Sequence, residues 1–390
     1  MVRNFKLVRY VIIAAIVILA IVKLGSSDSQ KANVSALRDY SKSLVLDRTA
    51  NSILSGGTHR ENATFVTLSR NQDLWGLVGS IREVEDRFNH KFNYDWVFLN
   101  DAEFSEEFKT VTSSFVSGNT YYGRIPKAQW SIPDYVDEDK AIQCRKKMEQ
   151  DGIIYGGSES YRHMCRYESG FFWRHPLLDN YKYYWRVEPH VKLMCNIPED
   201  PFKFMRENNK RYGFTISLYE YQATIMTLWD TVKGFMKEYP QYLNDNNALK
   251  FISDDGGENY NLCHFWSNFE IGDLDFWRGE AYQTFFDYLD RAGGFFYERW
   301  GDAPVHSIAA AILLDKEQIH WFEDIGYWHV PFMNCPVNKE TRNKLQCTCP
   351  KDESINDDQR HNFAFHGYSC TGRWLKFNNI PFPVGYDKDN

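Results

Sequence analysis

Positive charge is in short supply along this chain of 390 residues: 45 lysines and arginines face 52 acids, a net charge of −7 with histidine neutral. A protein that neutralises a long run of phosphates needs a basic excess, so nucleic acid is excluded as a partner class. No GxxxxGK[ST] loop and no GxSxG turn occur, which counts against P-loop kinases and α/β-hydrolases. Internal repeats are lacking, and no CxxC pair stands among the cysteines. What the chain does have is apolar residues, 43% of the total, enough for a large core. Its 28 Phe, 24 Tyr and 12 Trp also supply rings that can stack on sugars, although most of them must fill that core.

A long apolar run lies near the N-terminus. Tyr10–Val22 holds no charge, and Leu7–Leu24 is interrupted only by Arg9 and Lys23. About 20 apolar residues cross a bilayer. Arg3, Lys6 and Arg9 precede or begin the run, and no small-x-small cleavage site follows it. These features predict a cytoplasmic tail over 1–6, an uncleaved signal-anchor over 7–24 and a lumenal remainder. So short a span suits a thin early-secretory membrane. Residues 25–60, rich in Ser, Asn and charge, read as a stem, with 61–390 forming one globular domain. Eight cysteines in an oxidising lumen predict disulfides, with Cys347 and Cys349 too close to pair with each other. A zinc set of Cys335, Cys347, Cys349 and Cys370 is the weaker alternative, lacking the usual spacing. Sequons at Asn33 and Asn62 agree with a lumenal location.

From Ala63 the pattern is α/β. Ala63–Ser69 has strand composition, Leu74 to Phe88 keeps helical spacing, and Tyr94–Leu99 reads as a second strand. That order predicts a βαβ unit with parallel strands, and Arg70 stands at its first strand-to-helix turn, the usual place for a nucleotide. Further on, Asp134–Gln150 reads as a helix, Gly213–Glu220 as a strand and Gln222–Glu238 as a helix. Cys263–Glu270 reads as an extended segment, Asp275–Arg291 as a helix, Phe295–Tyr297 as a short strand and His306–Leu314 as a helix that Asp302 would cap. Ile319–Phe322 completes the strands.

The stretch Tyr183-Tyr184-Trp185-Arg186-Val187 reads as a buried strand that Pro189 must end. Glu188 then sits at the carboxyl end of a strand, where open α/β sheets place their ligands, as a hard oxygen donor suited to Mg²⁺ or Mn²⁺. The segment Ser160–Trp173, with Tyr161, precedes it closely enough to wall the same site.

Four motifs, in this order, resemble one family. They are Tyr184-Trp185-Arg186-Val187-Glu188-Pro189, the run from His264 to Ile271, the run from Glu298 to Ser307, and Gly326-Tyr327-Trp328-His329. Together they look like the fungal Golgi α-1,2-mannosyltransferases known as the KTR family, type II membrane glycosyltransferases. The resemblance implies a GT-A-type nucleotide-binding α/β sheet in a single catalytic domain, GDP-mannose as donor, Mn²⁺ as cofactor and retention of configuration. It implies Glu188 and His329 as metal ligands, Glu270 as candidate nucleophile, Tyr161 and Asp302 as residues lining the donor and acceptor site, and Arg70 beside the nucleotide. Mn²⁺ accepts both carboxylate and imidazole donors, so the ligand set is chemically consistent. Glu270 would either attack the anomeric carbon, as in retaining glycosidases, or stabilise an oxocarbenium-like centre. Many members have Asp after Glu-Pro where this chain has His190, which bears on metal affinity. The function implied is transfer of mannose to mannose-terminated O- or N-linked glycans of glycoproteins. The alternatives are mannosylphosphate transfer and a non-catalytic, lectin-like relative.

Overall fold

The first strands are buried on both faces, which calls for parallel pairing under helices on either side. Strand β1 (Ala63–Leu68) and strand β2 (Asp95–Asn100) fit that rule, with Phe65 opposite Trp96 and Val66 opposite Val97 in a parallel ladder. Helix α1 (Leu74–Arg87) joins them and turns Leu74, Leu77, Val78, Ile81 and Val84 inward, as its spacing predicts. The structure is a computed structural model that describes residues 60–349 and 367–382. The expected tail, signal-anchor, all of the stem but Arg60, and the Asn33 sequon lie outside the described residues. Among the described residues no helix is long and apolar enough to cross a membrane.

The chain continues through β3 (Thr120–Arg124), β4 (Tyr183–Arg186), β5 (Lys192–Leu193), β6 (Tyr212–Phe214) and β7 (Ser217–Tyr219). After these come β8 (Cys263–Phe265), β9 (Glu270–Asp273), β10 (Ile319–Trp321), β11 (Tyr327–His329) and β12 (Phe332–Asn334). Seven strands form the central sheet in the order β10-β6-β9-β4-β1-β2-β3. Only β9 runs antiparallel to its neighbours, β4 and β6. This is the mixed, mostly parallel α/β sheet that the GT-A resemblance implies. The reversal of β9 has a local effect: its first residue, Glu270, lies opposite the last residue of β4, Arg186.

Alternate residues along each strand feed two cores. Phe65, Trp96 and Trp185 pack with α1 on one face, while Val66, Val97 and Tyr184 pack on the other. That second face is covered by α4 (Glu159–Gly170), which follows α2 (Glu106–Phe115) and α3 (Glu138–Gln150) in the chain. It is shared with α5 (Leu228–Glu238), α6 (Glu280–Arg291) and α7 (Asp302–Leu313). Helix α7 is buried almost throughout, the mark of a helix enclosed on all sides.

Several expected elements differ. The strand expected over 213–220 is two strands in two sheets, because β7 leaves the central sheet to pair with β8. Helix 222–238 begins as a separate 3₁₀ turn over Gln222–Thr224. The short strand expected at Phe295–Tyr297 is instead one turn of helix, entered through Gly293 at φ +74°, a left-handed conformation that glycine adopts without strain. Three disulfides form, Cys195–Cys347, Cys263–Cys370 and Cys335–Cys349. Cys347 and Cys349 each reach elsewhere, as expected. Cys144 and Cys165 stay as free thiols, so the even count does not mean complete pairing. All four cysteines of the alternative zinc set are used in these bridges.

The Cys263–Cys370 bridge ties β8 to the C-terminal helix Thr371–Phe377 across 107 residues. Closing so long a loop restricts the unfolded chain. We expect Cys263→Ser with Cys370→Ser to lower unfolding free energy by roughly 2–5 kcal/mol in denaturant titrations. A loss below about 1 kcal/mol would show that the tie is dispensable.

Candidate active site

Strand β4 is apolar and aromatic until its last residue, where Arg186 enters the interior at 6% exposure. A buried guanidinium needs acceptors on every side. Its Nη1 donates to Oδ2 of Asp302 at 2.5 Å and its Nη2 to Oε1 of Glu188 at 2.5 Å. Burial alone would lower its pKa, but Glu168, Asp302, Glu188 and Glu270 around it hold it well above the ordinary value. Asp302 is not the N-cap of α7. Gly301 occupies that position, and Asp302 is the first helical residue, with its carboxylate turned to Arg186 and to the Ser267 hydroxyl at 2.7 Å. Burial would raise the Asp302 pKa, yet Arg186 and His306 bring it below the usual carboxylate value.

One turn further along α7, His306 shares that face at i+4. Its Nδ1 is 3.0 Å from Oε2 of Glu270 and its Nε2 is 3.1 Å from the main-chain carbonyl of Glu168. Between a carbonyl and a carboxyl group, the ring is set where a protonated imidazole can donate from both nitrogens. Burial opposes this charge, but Glu270 outweighs it and raises the His306 pKa. Glu270 itself is 0% exposed, and the hydroxyls of Tyr184 (2.8 Å) and Tyr212 (3.1 Å) also donate to it.

Glu188 follows β4 by two residues. His329, at the end of β11, places Nε2 3.9 Å from Oε2 of Glu188. The His329 Nδ1 donates to the Val330 carbonyl at 3.0 Å, so in the neutral imidazole Nε2 is the acceptor nitrogen that faces Glu188. In that form a cation between the two would satisfy both. Ligands on an octahedral ion with ~2.1 Å bonds stand about 3 Å apart as neighbours and about 4.2 Å apart when opposite. The observed 3.9 Å lies between the two, so a small side-chain shift would seat both donors on a divalent ion. Among the described residues the only cluster of three metal-type side chains is Cys195, Cys335 and Cys349, all of them disulfide-bonded. Further ligands to an ion at Glu188 would therefore come from a substrate, as Mg²⁺-like ions commonly take phosphate oxygens.

These groups border a cavity of about 540 Å³. Arg70, Tyr161 and Glu188 line it, together with Glu168, Arg186 and His190. Arg70 is at the rim, its side chain 57% exposed and paired with Asp73 at 3.1 Å. Tyr161 stacks on Tyr155 with ring centroids 4.4 Å apart, and the Arg299 guanidinium lies 5.0 Å from its ring. Of the six candidate residues, the fold thus brings Arg70, Tyr161 and Glu188 to the cavity wall and His329 beside Glu188. It links Asp302 through Arg186 and sets Glu270 below, off the wall. Arg186, Glu168 and His306 went unnoticed in the sequence. The available signals were a charge inside a buried aromatic strand and the i, i+3, i+7 stripe of Tyr161, Met164 and Glu168 on α4.

The family profile described as glycolipid 2-alpha-mannosyltransferase matches residues 22–379. The α-1,2 mannosyltransferase KTR1 of Saccharomyces cerevisiae is 60% identical over 327 residues, 84% of this chain and 81% of that protein. The O-glycoside α-1,2-mannosyltransferase omh1 of Schizosaccharomyces pombe is 53% identical, again over 84% of this chain and 81% of its own length. Among solved structures, core-mannan synthase A of Aspergillus fumigatus in its Mn/GDP form superimposes with a TM-score of 0.76 at 41% identity, covering 85% of this chain and 88% of that one. The mannosyltransferase Ktr4p of S. cerevisiae, in complex with GDP, gives 0.75 at 40% identity, covering 81% and 82%.

Burial raises the Glu168 carboxyl from 4.5 to about 7, against the pull of Arg186. A carboxyl raised in the folded state costs nothing below the unfolded pKa, and its full cost is reached above the folded one. Glu168→Gln should therefore stabilise the protein by roughly 3 kcal/mol above pH 7 and leave it unchanged below pH about 4.5. Denaturant unfolding across that pH range measures it, and a pH-independent difference would refute it.

Proposed function

The chain belongs to the glycolipid 2-alpha-mannosyltransferase family, and from that membership we propose that it is a retaining, Mn²⁺-dependent α-1,2-mannosyltransferase. The donor is GDP-mannose and the acceptors are mannose-terminated O- or N-linked glycans of glycoproteins. The observation that carries this reading is the juxtaposition of Glu188 Oε2 and His329 Nε2, 3.9 Å apart, beside the cavity. Relatives 41% and 40% identical to this chain have been solved with Mn and GDP and with GDP, respectively.

Glu188 and His329 would hold the ion, and Arg70 meets the nucleotide at the turn after β1. Bound there, Mn²⁺ would stabilise charge on the departing diphosphate as a Lewis acid. Tyr161 bounds the space for the sugar, and Asp302 fixes the Arg186 guanidinium that in turn orients Glu188. Between the two roles open to Glu270, the geometry favours the electrostatic one. Both of its oxygens are taken up by Tyr184, Tyr212 and His306, and no part of it is exposed. A fixed anion below the sugar would stabilise positive charge developing at the anomeric carbon. The apolar run near the N-terminus and the three lumen-type disulfides support a single-pass type II protein in the Golgi membrane, acting on cell-wall mannans.

Incubation with GDP-mannose, Mn²⁺ and methyl-α-mannoside, followed by linkage analysis, should give an α-1,2-linked disaccharide. A charged, acid-labile phosphodiester would indicate mannosylphosphate transfer instead, and no product would overturn the proposal. Glu270→Gln should lower kcat by about 100-fold or more with GDP affinity within about twofold of wild type. Wild-type turnover in that variant would remove Glu270 from the mechanism. His329→Ala should weaken Mn²⁺-dependent GDP binding by about tenfold or more, and an unchanged Mn²⁺ titration would show that it is no ligand.

A further inference from the structure

Four carboxyls surround Arg186, and three of them are hydrogen-bonded. Asp302 accepts from Arg186 and Ser267, Glu188 from Arg186, and Glu270 from Tyr184, Tyr212 and His306. The fourth, Glu168, is 2% exposed, and among the described residues neither of its side-chain oxygens has a hydrogen-bond partner. Only its main-chain carbonyl is engaged, by His306. A buried carboxyl without a donor is costly. This one is nonetheless held against the cavity, two helical turns beyond Tyr161 on the same stripe of α4.

The cavity wall carries groups of both signs. Arg70 and the Glu188–His329 pair suit a diphosphate with its cation, whereas Glu168 would repel bare phosphate. The part of a nucleotide-sugar that matches a donor-starved carboxyl is the sugar, which is neutral and carries adjacent O–H donors. We propose that Glu168 receives the transferred hexose of the donor, its oxygens accepting hydrogen bonds from neighbouring hydroxyls of the sugar ring. This rests on the reading of the chain as a GDP-mannose-dependent transferase and adds a specificity-determining residue to it.

The test is calorimetric binding of GDP and of GDP-mannose, each with Mn²⁺, to wild type, Glu168→Gln and Glu168→Asp. Both variants should bind GDP within about twofold of wild type while the ratio of the GDP-mannose Kd to the GDP Kd rises about tenfold or more. Glu168→Asp keeps the charge beside Arg186 but withdraws the oxygens by one methylene. Wild-type discrimination in that variant would mean that charge alone matters and would overturn the inference. Equal weakening of both ligands, or of neither, would overturn it too. Wild-type protein that binds GDP but not GDP-mannose would overturn the inference and leave the nucleotide site standing. Binding of neither would overturn the proposed function along with it.

Discussion

A guanidinium removed from water is among the most demanding groups a fold can carry, and the arrangement around Arg186 follows from meeting that demand. Its partners come from four parts of the chain. Glu188 follows β4, Asp302 opens α7, Glu168 ends the inner stripe of α4, and Glu270 begins β9. Each is delivered by a separate structural choice. The proline after Glu188 ends the strand, and the antiparallel run of β9 brings its first residue to the carboxyl end of β4. The i, i+4 spacing of Asp302 and His306 gives α7 one acid and one imidazole on a single face. Removing Asp302 or Glu188, the two carboxylates hydrogen-bonded to Arg186, is far more damaging than replacing a pair whole, so the elements that carry them are mutually dependent.

Charge balance then suggests why a metal belongs here. Four carboxyls meet the Arg186 guanidinium and the His306 imidazole, whose pKa Glu270 raises. Fully ionised, the cluster carries two uncompensated negative charges in a setting where charge is poorly screened. The raised pKa of Glu168, caused first by burial and only then by its acidic neighbours, reduces that excess. A divalent ion held at Glu188 and His329, as proposed, would reduce it further, and it would allow an anionic diphosphate to enter a cavity that would otherwise repel it. The same excess explains why the sugar end of a donor, with its hydroxyl donors, suits the acid-lined interior better than the phosphates do.

Much of this was legible in the chain. Periodicity and composition were enough for β1, α1, β2 and β4, because buried parallel strands are continuous apolar runs and amphipathic helices repeat at 3.6. The place of Glu188 at a strand end followed from Pro189 alone. What could not be read were relations between distant segments. No local pattern shows that β9 reverses or that Glu270 is enclosed by two tyrosines and an imidazole. Asp302 looked like a helix cap because Asp before a helix usually is one. It is drawn to Arg186, 116 residues away. Phe295–Tyr297 looked like a strand because three aromatics in a row suit one, and only the left-handed turn at Gly293 sets them into a helix.

The histidine after Glu188-Pro189, where the family resemblance leads one to expect aspartate, shows how position constrains chemistry. His190 has φ +67°, a region open at modest cost to His, Asn and Asp but strained for most other side chains. Its amide donates to the Gly76 carbonyl at 3.1 Å, which fixes the turn whatever the side chain. The ring packs so closely on Gly76 that a Cβ there would lie 2.4 Å from its Cε1. Aspartate and histidine thus satisfy the same backbone, but the imidazole is laid against α1, while His329 and Glu188 face each other across the gap. With its ring against Gly76, His190 stands apart from the gap between Glu188 and His329, so an ion in that gap would be held by those two residues.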